Sequence, residues 1–498
     1  MTIIRKHTLL LAPLTLLLMA ATTVPASNPR PDRGSQIAAA ARLVDGNQPA
    51  EALAILDPLL ANSDLPIERG EVELLRSFAL ARLNRLPEAR KAVEASYAAS
   101  PSPTPLLLRQ LFLLRAFTGD PDGAVQIVQL MAAGDPKWLE QLPGELVFET
   151  LGAISDDEAR SFDVSFSLVT ADYHPVGLPV AVMDSLRLKV VRGLQSRGRL
   201  DEAPPVVAQL INTTSLVQLA IDRRFQPLWP ALEKRLGPGA DIADEAYVKA
   251  ARAAFESRPG SLADRLGLAE ALNIASREEE ALAVTDIAPT AEDLAKFGNR
   301  DLWLVNLQAM MLADTGKVDA GLARFALLNT LPIEGRPSLV ATLINQAILA
   351  ESVDRPDAAL AAIAQAEAKA TDINDYGRRY LDAVRVCALT QLGRKAEAAA
   401  AAAPVIAKPD AKADAYRGTM ICLGRMDAAA AAVIGQLKNE KTRSDMLFAL
   451  QPFLITDRAT ARDRRERAAM RVLKARPDVK AAFLALGRDL PAAVSPPR

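Results

Sequence analysis

One hexapeptide recurs along this chain at a spacing that few folds other than a stack of helical hairpins satisfy. It reads Gly or Asn, four variable residues, then a small residue. The clearest copies are Asn84–Ala89, Gly119–Ala124, Gly198–Ala203, Gly316–Gly321, Gly393–Ala398 and Gly424–Ala429, and weaker ones end at Ala52, Ala281 and Ala359. Most successive copies lie 31 to 40 residues apart, the period of a two-helix repeat. Two intervals, from Ala124 to Ala203 and from Ala203 to Ala281, are about twice as long. Each therefore predicts a hidden repeat, near 138–172 and 212–257.

Each part of the hexapeptide has a physical task. Gly or Asn adopts the left-handed conformation that stops a helix. Pro, Asp or Glu next suits the exposed amides of a new helix start. The final small residue lets the new helix cross the old one closely, so Ala203 and Ala398 are expected to be buried, and Gly198 and Gly393 left-handed. Composition agrees. Half of the 498 residues are hydrophobic but only 4% are aromatic, and the abundant Ala and Leu are strong helix formers. A chain this long exceeds one ordinary core, whereas an array buries each unit on its neighbours. The fold class expected is all-α, an α-solenoid of stacked helix–turn–helix repeats. One stretch, Phe162–Leu168, alternates like a strand. It is read as helix, because Ser155–Glu158 resembles a capping box and Phe162, Phe166 and Val169 share a helical face.

The two ends carry different signals. Residues 1–26 follow the logic of an export signal: Arg5 and Lys6, an apolar run from Leu9 to Met19, then Val24-Pro25-Ala26. Cleavage is expected after Ala26, with delivery to the periplasm of a Gram-negative bacterium. No transmembrane span is expected later, since the most apolar stretch, Leu106–Phe117, carries Arg109 and Arg115. The expected organisation is a linker at 27–35, repeats at 36–136, degenerate and ordinary repeats at 137–240, and further repeats at 241–440. Capping helices at 441–490 and a disordered tail at 491–498 follow. Gly237–Ala240 reads as a bend between two halves.

Several functions are argued against. The formal net charge is −1, which gives no drive toward nucleic acid. Only His7 and His174 are present, and His174 sits in an expected loop, Asp172–Pro175. No metal site, cofactor or catalytic residue is expected. The acidic runs Asp156–Glu158 and Glu278–Glu280 read as helix starts. The arginine-rich segment 457–476 reads as a polar end cap, or as a contact for an anionic surface such as lipid headgroups or acidic glycan.

The repeat resembles the tetratricopeptide family. In Arg69–Pro101, Ser77, Leu80, Ala89, Val93, Ser96 and Pro101 fall on that family's signature spacing; in Pro105–Pro136, Phe112, Ala124, Val128, Met131 and Pro136 do. The resemblance covers most of 36–440, although the large aromatic early in the first helix is mostly absent and Gly321 replaces Ala. It implies a right-handed superhelix whose first helices line a concave groove for another protein or an extended peptide. That register puts Asn306, Met310 and Asp314 on the groove in one repeat, and Tyr380, Cys387 and Gln391 in another. The Lys/Asn clamp for a peptide carboxylate is missing. Cys387 and Cys422, in first helices of neighbouring repeats, are either a disulfide or two small buried residues. The expected function is a non-enzymatic periplasmic scaffold. The alternatives are an accessory part of cell-envelope or polysaccharide export machinery and, last, a glycan-turnover enzyme.

Overall fold

The computed structural model describes residues 32–494 apart from 62–65, 176, 288, 300, 335, 371–372, 409–412 and 454–458. The expected export signal lies outside the described residues. Within them the chain is all-α: 28 α-helices and no strand, with one isolated β-bridge between Asp222 and Gly487. Among the described residues no helix is long and apolar enough to cross a membrane. The chain forms two compact units, divided between Gly177 and Leu178. The Gly237–Ala240 turn is sharp, with left-handed Gly237, Gly239 and Ala240, but it lies inside the second unit.

The first unit stacks helical hairpins in chain order: α1 (Arg33–Asp45) with α2 (Pro49–Ala61), α3 (Pro66–Arg82) with α4 (Leu86–Ala99), α5 (Pro105–Phe117) with α6 (Pro121–Gly134), and α7 (Gly144–Ala153) followed by α8 (Glu158–Thr170). Helix α1 begins inside the stretch read as linker, capped by the Asp32 carboxylate, which accepts from the Ser35 N–H. Helix α8 is the segment that alternates like a strand. Its cap is Asp157, accepting from the Arg160 N–H, rather than Ser155. Phe162 and Val169 are buried, and the Phe162 and Phe166 rings stack at 5.7 Å. His174 lies exposed in the loop that follows.

The hexapeptide turn is one structure repeated nine times. Asn47, Asn84, Gly119, Gly198, Ser276, Gly316, Asp354, Gly393 and Gly424 all have φ between 56° and 84°. The next N–H donates to the carbonyl five residues back, as in Arg199 to Leu194 (2.8 Å) and Arg394 to Leu389 (2.9 Å), which satisfies an orphan carbonyl of the ending helix. In four copies that next residue is an arginine forked onto a glutamate three residues on: Arg85–Glu88, Arg199–Glu202, Arg277–Glu280 and Arg394–Glu397, at 2.5–2.8 Å. The closing alanines, including Ala203 and Ala398, are at most 1% exposed. Gly321 departs from alanine for a steric reason. A Cβ there would lie 2.5 Å from the Ala309 carbonyl oxygen.

The second unit continues with α9 (Asp184–Ser196), α10 (Pro204–Ala208), α11 (Thr213–Ile221), α12 (Trp229–Leu236), α13 (Asp241–Ser257), α14 (Leu262–Ile274), α15 (Glu278–Thr285) and α16 (Ala291–Lys296). The second hidden repeat, near 212–257, thus holds three α-helices, α11 to α13, rather than one hairpin. Regular repeats follow: α17 (Leu302–Asp314) with α18 (Val318–Leu328), α19 (Pro337–Ser352) with α20 (Pro356–Lys369), and α21 (Asp375–Gln391) with α22 (Lys395–Ala401) and α23 (Ala403–Ala407). Then come α24 (Ala413–Cys422) with α25 (Met426–Lys438), α26 (Arg443–Ala449), α27 (Ala461–Ala475) and α28 (Pro477–Leu486).

This unit joins its end to its beginning. The fully buried Asp222 carboxylate accepts from the Arg224 guanidinium (2.7 Å) and from the Ser444 hydroxyl (3.1 Å). Arg223 donates to the Leu484 carbonyl, and Gln218 to Asp445. The Arg488 N–H donates to the Ile221 carbonyl (3.0 Å), and its guanidinium lies 3.7 Å from the Trp229 ring centre. Gly487 is required in this seam, because a Cβ would meet the Leu447 side chain at 2.3 Å and the Ile221 carbonyl at 2.8 Å. Of the stretch expected to be a disordered tail, Val494 is buried, while 495–498 lie outside the described residues.

Candidate interaction surface

The first helices α17, α19, α21 and α24 pack side by side in that order. Polar rungs cross from each helix to the next. The Asn345 amide donates to the Asn306 side chain (2.8 Å) across α19 and α17, and Gln391 donates to the Glu351 carboxylate (2.6 Å) across α21 and α19. Between α21 and α24 the rung is covalent. Cys387 and Cys422 form a disulfide, with their Cα atoms 5.2 Å apart.

The six residues expected on the groove all lie in this layer, and none is an exposed side chain. Asn306 and Cys387 are buried; Met310, Asp314, Tyr380 and Gln391 are half-buried. Met310 packs on the apolar cluster around Phe325, and Tyr380 on the one around Ile363. The exposed members of the two stripes lie one turn nearer each helix start. Trp303 precedes Asn306 and is 37% exposed. Tyr376 precedes Tyr380, is 58% exposed, and has its ring 5.1 Å from that of Tyr380. Both were missed in the sequence, although the same i, i+3/i+4 spacing carried one turn upstream reaches them. Burial, with Tyr376 beside it, pushes the Tyr380 hydroxyl above its usual pKa.

Glu351 is the most deeply buried charge in the layer. Only 2% exposed, it lies 3.2 Å from the Arg462 guanidinium and 3.4 Å from that of Arg465. Burial pushes its carboxyl up, and Arg462 and Arg465 oppose that rise. Arg465 also pairs with Asp354, the left-handed residue of the next turn. Helix α27 therefore lies along the turn edge of the repeats, packed on α19, α24, α25 and α28. The arginine-rich segment is not simply a charge for an outside surface. Arg462 and Arg465 are met by Glu351 and Asp354, and Arg476 by Asp427 and Asp478, while 457 and 458 lie outside the described residues.

The second helices leave shallow clefts on the other side of the layer. One of about 470 Å³ lies between α18 and α20 over Gln346 and Ala350. The equivalent cleft one repeat earlier, about 410 Å³, lies between α15 and α18 over Gln308 and Leu312. Among the described residues no group of His, Cys, Asp and Glu is placed to hold a metal ion.

The sequence matches no family model and no curated protein. Among solved structures, that of Naa15/Naa10 bound to HypK-THB matches over 83% of this chain and 70% of its own, at 13% identity and a TM-score of 0.25. So low a score carries no argument about fold or function, and the all-helical repeat reading stands on the turns and packing described above.

Proposed function

We propose that the chain is a tetratricopeptide-like scaffold of the bacterial periplasm. It binds another protein along the first helices α17, α19, α21 and α24 and catalyses no reaction itself. The observation that carries the reading is the exposure of Trp303 and Tyr376 at the head of the two stripes that run through this layer. Exposed aromatics beside buried polar rungs are what a protein interface uses as anchors. The single histidine after residue 26 supports the absence of catalysis, and the three-part pattern of 1–26 supports export.

The test is a pull-down from envelope extract with the mature chain. A saturable protein partner is expected, and Trp303→Ala and Tyr376→Ala should each weaken its capture by about tenfold or more. Tyr376 is 58% exposed but Trp303 only 37%, so Trp303→Ala should melt somewhat below the parent, and capture is compared at a temperature where both variants are folded. No saturable partner, or capture indifferent to both variants, overturns the reading. Export is tested separately: the chain recovered from a periplasmic fraction should begin at Ser27, and a cytosolic chain retaining 1–26 would overturn that part.

A further inference from the structure

We propose that the first turns of α27 are a displaceable occupant of a docking site, and that this site takes a partner helix bearing two arginines one turn apart. The site is Glu351, Asp354 and Gln391 on the turn edge of α19 and α21. This deepens the scaffold reading and rests on it.

The argument starts from how α27 is held. From Ala461 to Ala469 no side chain of this helix is buried, and of Ala459 and Thr460, the described residues that lead into it, Ala459 is buried. These turns are fastened to the repeats by charge: Arg462 and Arg465 on Glu351, and Arg465 on Asp354. The last turns are held differently. Met470 and Leu473 are buried, Lys474 donates to the Leu450 carbonyl at 2.7 Å, and its ammonium lies 4.2 Å from the Phe483 ring centre. Helix α28 has its own anchors in the buried Val479 and Phe483. One half of α27 is thus bolted by apolar contact, and the other is at most half-buried and held by ion pairs, of which the exposed Arg465–Asp354 pair is the one that salt screens.

The other half of the argument is the carboxylate. A buried carboxylate is costly unless paired, and the cations that meet Glu351 come from the weakly held half of α27. Gln391 fixes one carboxylate oxygen from the side, so the remaining demand is for guanidinium. Arg462 and Arg465, three residues apart, show the spacing the site accepts, since i and i+3 share a helical face. Arginine suits a carboxylate better than lysine because its planar fork donates two parallel bonds. A partner helix with that pair would replace α27 in kind.

The probe is a labelled synthetic peptide of residues 459–476, added to the full mature chain. The parent should bind it weakly, because its own α27 occupies the site. Arg462→Ala/Arg465→Ala should bind it about tenfold or more tightly, and adding Glu351→Gln should remove that gain. Equal binding by parent and double variant, or a gain that survives Glu351→Gln, overturns the proposal. A second measurement needs no variant. In hydrogen exchange on the parent, amides of 461–469 should exchange faster than those of 470–486, and faster again in about 0.5 M salt. Protection equal to that of α24 at both salt levels overturns the proposal even if the double variant misfolds. The two readings fail apart. An envelope partner captured equally by parent and double variant sinks the docking site and leaves the scaffold. Peptide binding with no envelope partner sinks the scaffold and leaves the site.

Discussion

Two parts of the second unit are fastened in opposite ways. Along α17 to α25, the named bonds join neighbours in the stack: Asn306 to Asn345, Gln391 to Glu351, Cys387 to Cys422. At the seam, Asp222 meets Ser444, Gln218 meets Asp445, and Arg488 meets Ile221, across more than 220 residues of chain. The stack is periodic, so one kind of turn solves the packing problem again and again. The seam is made once, from a buried carboxylate, a glycine with no room for a Cβ and an arginine over an indole ring. Repeats need only close short loops, whereas the seam must recover the entropy of bringing distant segments together. The contrast teaches that joining the ends is a separate achievement, which no single repeat encodes.

The strongest way to break the comparison is at Asp222. Replacing it with Ala leaves the Arg224 guanidinium, 14% exposed, without its carboxylate. The expected loss is about 3–5 kcal/mol, read as a lower urea midpoint, with early exchange of the α11 and α26 amides while those of α17 to α25 stay protected. A loss below about 1 kcal/mol would mean that the seam only touches and does not hold.

Next comes the covalent rung. Reducing Cys387–Cys422, or replacing both with Ala, frees a loop of 35 residues. Loop-closure entropy puts the cost at about 3–4 kcal/mol. The effect should centre on α21 and α24, with the seam following later in the melt. If seam and disulfide always unfold together, the two regions are one cooperative block.

A smaller effect tests the turn itself. A helical Gly→Ala change ordinarily stabilises by about 1 kcal/mol. At Gly321 the new methyl group would strike the Ala309 carbonyl, so Gly321→Ala should instead cost about 1–3 kcal/mol. At the equivalent Ala359, fully buried, Ala→Gly should cost about 1 kcal/mol. Urea melts of the pair decide it. A stabilised Gly321→Ala would show that α17 and α18 do not cross as closely as described.

What could be read from the sequence divides along the same line. The turns were legible because their requirement is local: a left-handed residue, a helix start and a small residue five positions on. Even Ser276 and Asp354, poor matches by residue type, take the same φ. The groove stripes were legible in part. Asn306 and Gln391 lie in the layer of first helices, but the sequence could not show that each is spent on a neighbouring helix rather than turned to a ligand. Trp303 and Tyr376 escaped because nothing in periodicity alone says where along a stripe burial ends. The seam was illegible. Asp222, Ser444 and Gly487 share no motif, and only the completed fold brings them together. For the same reason, the arginines of α27 read as an end cap, since Glu351 and Asp354, which meet Arg462 and Arg465, are more than 100 residues away.

The smallest expected effect probes whether the seam reaches beyond its own contacts. Asp244 on α13 accepts from the Thr213 hydroxyl on α11 at 2.6 Å, and α11 leads directly to Asp222. Burial, with Asp241 nearby, pushes the Asp244 carboxyl from 3.8 to about 6, against the opposing pull of Thr213. The folded chain therefore holds this proton at pH values where the unfolded chain has lost it. Stability falls as pH rises from about 4 to about 6, then levels off, because the folded state binds more protons only in that window. Asn keeps an acceptor for Thr213 and carries no charge, so Asp244→Asn should gain on the parent across that window. The plateau should be about 1–2 kcal/mol above pH 7, after discounting for solvent near the group. Urea melts at a series of pH values give the curve, and a gain that is level from pH 4 to 8 would sink the assignment. Repeating the series in the Asp222→Ala background then sharpens the comparison. If the seam acts only through its own contacts, the two changes add within about 0.5 kcal/mol and the curve keeps its shape. A curve that moves with Asp222 would mean that the seam sets the burial of α13 as well, extending its hold across α11 into the helix beyond.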